Sequence, residues 1–172
     1  HPFSKIQTTD RTASRMCLVN KGSKALLSSA QALNYGYISL GVSATALTPA
    51  IIAGIPNATP PASLLVTKPG AGVKLLSFGY ALGFGDGNTL TNYVSSTNPI
   101  LELSPSIYDQ FVLRKSASLL IRDDSNNVYH VENGNKRLIQ NQSIITSIYP
   151  GVPIVYMEST AIVSIPTGSP IT

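Results

Sequence analysis

Apolar and polar positions alternate most clearly near the end of the chain. "SLLIRD" (Ser118 to Asp123) and "VYHVE" (Val128 to Glu132) read as two strands around the turn "DSNN". Asn133 and Gly134 follow, the pair that best supplies positive φ at both central positions of a type I′ turn, so "KRLI" is predicted to return as the paired strand. Whether Val128 and His130 point inward or outward is left open by the alternation. "NQSIITSIYPG" places Ile144, Ile145 and Ile148 at helical spacing behind an N-cap at Asn141, with a Pro-Gly stop. "PIVYMES" is again extended, and "STAIVSIP" is a closing turn of helix.

The same order of elements recurs upstream. "SLLVTKPGAGVKLLSFG" (Ser63 to Gly79) aligns without a gap with "SLLIRDDSNNVYHVENG" (Ser118 to Gly134), 55 positions apart, and Thr91 matches Thr146 in the same register. "VNKGSKALL" (Val19 to Leu27) aligns with "VENGNKRLI" (Val131 to Ile139). Each copy closes alike, with Thr48, Ser104 and Ser159 at the N-cap of a short apolar turn and Pro49 and Pro105 at the first helical position. The predicted fold class is α+β: three divergent repeats of about 55 residues, each a small, mainly antiparallel β unit with short helices. The divisions are an N-terminal extension over 1–14 and repeats over 15–62, 63–117 and 118–172. A unit of that size buries too little by itself, so "MCLV", "SLLV" and "SLLI" are expected to share one core.

Composition narrows the function. Apolar residues make up 43% of the 172 positions and charged residues only 12%, with Ser, Thr and Asn filling the gap, a balance common in secreted and cell-surface proteins. No stretch approaches the length of a membrane span; the longest apolar run, "ATALTPAIIAGIP", is broken by Thr and Pro. The chain opens on His1 and Pro2 with neither Met nor a hydrophobic leader, the expectation for an excised domain, a processed form or a cloning scar. The net charge of +4 is spread over scattered pairs such as Lys21 and Lys24, or Arg114 and Lys115, which speaks against nucleic acid as partner.

Candidate chemistry is sparse. Cys17, the one cysteine, lies in an apolar run and reads as a buried side chain rather than a nucleophile paired with His130. Asp123 and Asp124 lack the spacing of a calcium loop and read as a solvated turn. "GFGDGNT" is neither a phosphate loop nor a dinucleotide fingerprint; it reads as a turn into a helix capped by Asp86 or Asn88. No serine triad, carboxylate pair or zinc-ligand set is visible, so neither enzyme activity nor a cofactor or metal is expected. Eight tyrosines without a tryptophan admit a glycan site, against the plainer reading of half-buried rings with hydroxyls at the surface. Lys136 and Arg137 are read as solvent-facing strand residues.

"VYHVENGNKRLI", "SIYPG" and "SIPTGSP" resemble a repeat found in extracellular proteins of Gram-positive and related bacteria, of the form VYxVENGxKRxI closing in IPxGxP. "LVNKGSKALL", "ALNYGY" and "IAGIPNATP" keep that pattern in the first copy, whereas the middle copy loses the Lys-Arg pair and the Ile-Pro ending. Similar repeats stand beside wall hydrolases and in a core subunit of type VII secretion systems. The resemblance implies attachment to, or assembly at, the cell wall, and no catalytic residue. The expected function is therefore non-catalytic binding of cell-wall polymer or glycan at the bacterial surface, through Lys24, Tyr129, Lys136 and Arg137. The alternative is a structural spacer or adhesion module whose partners are proteins.

Overall fold

A computed structural model describes residues 5–8, 16–36 and 44–172 of the protein. In chain order the first unit holds β1 (Lys5–Thr8), β2 (Met16–Asn20), β3 (Ser23–Leu27), α1 (Ser29–Asn34), β4 (Ala44–Leu47) and α2 (Pro49–Gly54). The second holds β5 (Leu65–Thr67), β6 (Lys74–Ser77), β7 (Tyr80–Gly83), α3 (Gly87–Tyr93), β8 (Ile100–Glu102), α4 (Pro105–Tyr108) and β9 (Leu113–Ser116). The third holds β10 (Leu120–Arg122), β11 (Val128–Glu132), β12 (Asn135–Leu138), α5 (Gln142–Ile148), β13 (Ile154–Tyr156) and α6 (Ser159–Ile162). The class is α+β, and the first sheet takes a strand, β1, from the stretch read as an N-terminal extension.

The three sheets share one connectivity. Their orders are β3-β2-β1-β4, β8-β5-β6-β7-β9 and β12-β11-β10-β13. In each, an antiparallel meander is extended by a later strand lying parallel to the first: β4 on β1, β8 on β5, β13 on β10. Parallel pairing requires a crossover, and the hairpin together with α1, α3 or α5 supplies it. After each closing helix the chain returns beside the second hairpin strand, again in parallel, at Lys24↔Asn57, Ala81↔Leu113 and Lys136↔Thr167.

Local chemistry explains the turns and caps. All three hairpin turns have positive φ at both central residues: Lys21 (49°) and Gly22 (75°), Phe78 (46°) and Gly79 (83°), Asn133 (51°) and Gly134 (74°). Only the third carries the favoured Asn-Gly pair; Phe78 holds a conformation that bulky residues rarely adopt. Asp86, Thr48 and Asn141 cap α3, α2 and α5 through their side chains, as the sequence predicts. The cap of α6 falls one residue earlier than expected, on Glu158, because Ser159 already has helical geometry.

One core joins all three units, with Leu18, Leu65, Leu76, Phe111, Val131 and Met157 among its buried members. Leu120, Val128, Ile139, Ile144 and Ile145 form a second, smaller cluster between α5 and the third sheet. "SLLI" is thus split: Ile121 faces the shared core while Leu120, pointing to the opposite face of the strand, belongs to the smaller one.

Candidate functional site

The four side chains expected to meet a ligand are engaged within the chain. Lys136 is 8% exposed, not solvent-facing. Its ammonium donates to the Ile165 carbonyl at 2.5 Å, just beyond α6. Lys24, on β3, donates in the same way to Ile52 (2.8 Å) and Ile55 at the end of α2. Helix ends leave carbonyls without intrahelical donors, and a lysine reaching them from the neighbouring strand satisfies those groups while its stem fills the gap. The middle unit has Ala81 at this place, yet Lys74 on the adjacent strand donates to Tyr108 O at the end of α4 (3.3 Å) and to Phe111 O just beyond it (2.7 Å). Burial lowers the pKa of Lys74 and of Lys136.

Tyr129 and Arg137 are likewise held. The Tyr129 hydroxyl donates to Asp123 Oδ2 at 3.0 Å. Arg137 donates through Nε to Ser169 O (2.9 Å) and through Nη1 to Glu132 (3.0 Å). Lys24 stands in the first unit and the other three on β11 and β12 of the third, so the fold does not gather the set into one site.

Asp123 is buried rather than solvated. Burial alone would raise its pKa, but hydrogen bonds from the Asn127 side chain and backbone, the Tyr129 hydroxyl and the Ser125 N–H outweigh it and hold the carboxyl below its ordinary value. Asp124 accepts from Tyr156 and Ser159, tying the turn to β13 and α6. His130 is buried with its ring stacked on Tyr149 at a centroid distance of 4.6 Å, and no group among the described residues hydrogen-bonds its Nδ1. Burial lowers the His130 pKa, with Glu132 opposing and Arg137 reinforcing the shift. Cys17 is buried on β2.

The contacts between units follow a pattern that sequence reading missed. At the first junction the Gly79 N–H donates to Asn34 O (2.9 Å); at the second the Gly134 N–H donates to Asn92 O (2.8 Å). Tyr35 donates to Ser63 O (2.7 Å) and Tyr93 to Ser118 O (2.5 Å). Ser104 N donates to Asn20 Oδ1 (2.9 Å), and Glu158 N to Ser77 Oγ (3.4 Å). Each unit thus presents the end of its first helix and the residue before its hairpin turn; the next presents its turn glycine, the serine ahead of its first strand and the cap of its closing helix. Tyr35 and Tyr93 are fully buried with internally bonded hydroxyls, not half-buried with hydroxyls at the surface. Asn34 adds a knot joining all three units: its side chain donates to Thr160 O (2.9 Å) and accepts from Phe78 N (3.0 Å) and Thr160 Oγ1 (3.2 Å). The readable signal was the tyrosine at the end of each first helix, preceded by Asn in "LNY" and "TNY" and by Ile in "SIY".

Two kinds of surface remain. Large apolar side chains stand exposed at Ile148, Ile154, Val163, Val112 and Leu113. On exposed β9, the Arg114 guanidinium lies 4.7 Å from the Tyr80 ring, while Lys115 and Arg122 lie 5.1 and 5.9 Å from that of Tyr156. No helix among the described residues is long and apolar enough to cross a membrane.

No protein-family model matches the chain, and no curated protein does. A solved structure described as the periplasmic assembly from the ESX-5 inner membrane complex contains a chain similar to this one at 8% identity, with a TM-score of 0.32. The alignment covers 98% of this chain and 66% of that chain, so the protein spans just under two thirds of that neighbour's length.

Proposed function

We propose that this chain is a non-catalytic module of the bacterial cell surface that assembles with protein partners. One observation carries the reading: the polar groups of Lys24, Tyr129, Lys136 and Arg137 are taken up by acceptors inside the chain, whereas Ile148 on α5 and Ile154 on β13 leave large apolar side chains exposed. Buried ammonium groups already satisfied by carbonyls have little to give an anionic polymer, while apolar side chains left in water favour a protein surface. The likeness of "VYHVENGNKRLI" and "SIPTGSP" to bacterial surface repeats supports the location.

A second reading, binding of an anionic wall polymer, is favoured by Lys115 and Arg122 over the Tyr156 ring, with Arg114, next to Lys115 on β9, over that of Tyr80. Two measurements divide the readings. Co-sedimentation with insoluble peptidoglycan, with and without its anionic polymers, is expected to leave the protein in the supernatant at every salt concentration. Photo-crosslinking from position 148 in cells is expected to yield protein adducts. Salt-sensitive pelleting lost with Arg114→Ala plus Lys115→Ala would replace the assembly reading with the polymer one.

A further inference from the structure

The junction pattern has two unfilled ends. At the end of the third unit, in the register set by the caps Ser28, Asp86 and Asn141, Ser147 and Ile148 occupy the places of Asn34 and Tyr35, and of Asn92 and Tyr93. Among the described residues, no hairpin glycine donates to the Ser147 carbonyl, and Ile148 stands where Tyr35 and Tyr93 send a hydroxyl to the following unit. Ile148 is 59% exposed. Ile154, which pairs with Leu120 as Ile100 pairs with Leu65, is 40% exposed, whereas Ile100 packs against the shared core. Glu132, in the place of Asn20 and Ser77 before the turn, reaches only Arg137. The small cluster around Leu120, Ile144 and Ile145 ends here, with Tyr149 packed against it.

The opposite end lies on the first unit. A Cβ on Gly134 would fall 2.3 Å from Ser95 Cβ, so tightly does that turn seat on the preceding unit, but among the described residues a Cβ on Gly22 would meet nothing within 4 Å. The Lys21–Gly22 turn has the same φ pair as its two seated counterparts. Gly22 is exposed, and Thr48 is the helix cap in the position at which Ser104 and Glu158 receive the previous unit.

We propose that the third unit of one copy receives the Lys21–Gly22 turn of a second copy, continuing across the interface the junction that the chain makes twice within itself. The Gly22 N–H then donates to Ser147 O, Ile148 and Ile154 are covered, and copies join head to tail. Because donor and acceptor faces differ, the contact is heterologous and leaves one of each free at the ends of every oligomer. The inference rests on the assembly reading and names its partner as the chain itself.

Sedimentation velocity on the whole chain across a wide concentration range tests it. The average mass is expected to rise with concentration past that of a dimer. Ile148→Asp plus Ile154→Asp blocks the acceptor end, and Gly22→Asn, which keeps the positive φ and adds a side chain, blocks the donor end. Each variant is expected to remain monomeric where the parent associates, with an unchanged circular-dichroism spectrum, and their equimolar mixture is expected to form a dimer and nothing larger. A parent that stays monomeric to millimolar concentration, a single-end variant that still dimerises, or a mixture that does not complement overturns the proposal. Adducts from position 148 to a different protein would then leave the assembly reading standing; their absence as well would remove both.

Discussion

The Lys136 ammonium lies 2.5 Å from the carbonyl of Ile165, at the end of the helix that closes the third unit. A side chain that reads as a surface cation is thus a cap for a helix terminus, and its loss is a stability effect before it is a binding one. Lys136→Met keeps the apolar stem and removes the donor. It is expected to lower the unfolding free energy by about 1–3 kcal/mol, the cost of a lost hydrogen bond from a charged group and an unsatisfied carbonyl. Urea denaturation measures it, and an unchanged midpoint would refute the capping role.

A phenol that bonds across a junction should count for more than one that does not. Tyr93→Phe removes the 2.5 Å hydrogen bond to Ser118 O and is expected to cost about 1–2 kcal/mol. Tyr149→Phe removes no such bond and should leave the stability of the monomer within about 0.5 kcal/mol of the parent. Equal losses from the two substitutions would contradict the junction role of Tyr93.

Gly134→Ala combines a positive-φ penalty of roughly 1–2 kcal/mol with a collision against Ser95. Adding Ser95→Gly, which removes the colliding atoms, is expected to recover the collision part but not the backbone part. Gly22→Ala, which meets nothing among the described residues, should show the backbone part alone. Thermal melts of the four proteins read the comparison.

His130 gives the fold a pH dependence of definite sign. Its pKa is lower in the folded state than the ordinary 6.5, so the unfolded chain binds the proton more readily. The stability it permits is complete above pH 6.5 and falls as the pH drops through that value. His130→Leu, which replaces a buried ring whose Nδ1 has no partner among the described residues, is expected to flatten the stability curve between about pH 5 and 6.5. A slope unchanged in that variant would assign the effect elsewhere.

Asp123 acts lower on the scale. Its carboxyl is depressed below 3.8 by the hydrogen bonds it accepts, so the stabilisation is present above that value and is lost as acid protonates the folded state. Asp123→Asn is expected to cost about 1–3 kcal/mol at neutral pH, a gap that narrows below about pH 4. A gap that persists undiminished at pH 2 would show that charge is not its source.

Much of the framework is legible in the sequence because it rests on local rules. Alternation marks β10 and β11, Asn133-Gly134 marks a type I′ turn, and Asp86, Thr48 and Asn141 mark helix starts through side chains that bond the next few amides. The match of Ser63 with Ser118 also carries a shared geometry, since each hydroxyl accepts from the amide two residues ahead. These signals act within a few positions, so composition and spacing suffice to see them.

Only the tertiary structure decided what the polar side chains do. Lys24, Lys74 and Lys136 look like surface cations until the helix end they reach is in place, and Lys74 replaces a lysine missing at Ala81 from a different strand, a compensation no alignment of positions displays. Tyr35 and Tyr93 look like Tyr149 in the sequence, but each of the first two sends its hydroxyl to a carbonyl of the next unit, while Tyr149 stacks on His130 within its own. Covering depends on neighbours far apart in the chain, and the free energy of a buried hydrogen bond depends on that covering. The sequence by itself therefore determined the elements, their order and their turns, and the packing of one unit on the next decided which side chains became structure and which end remained open.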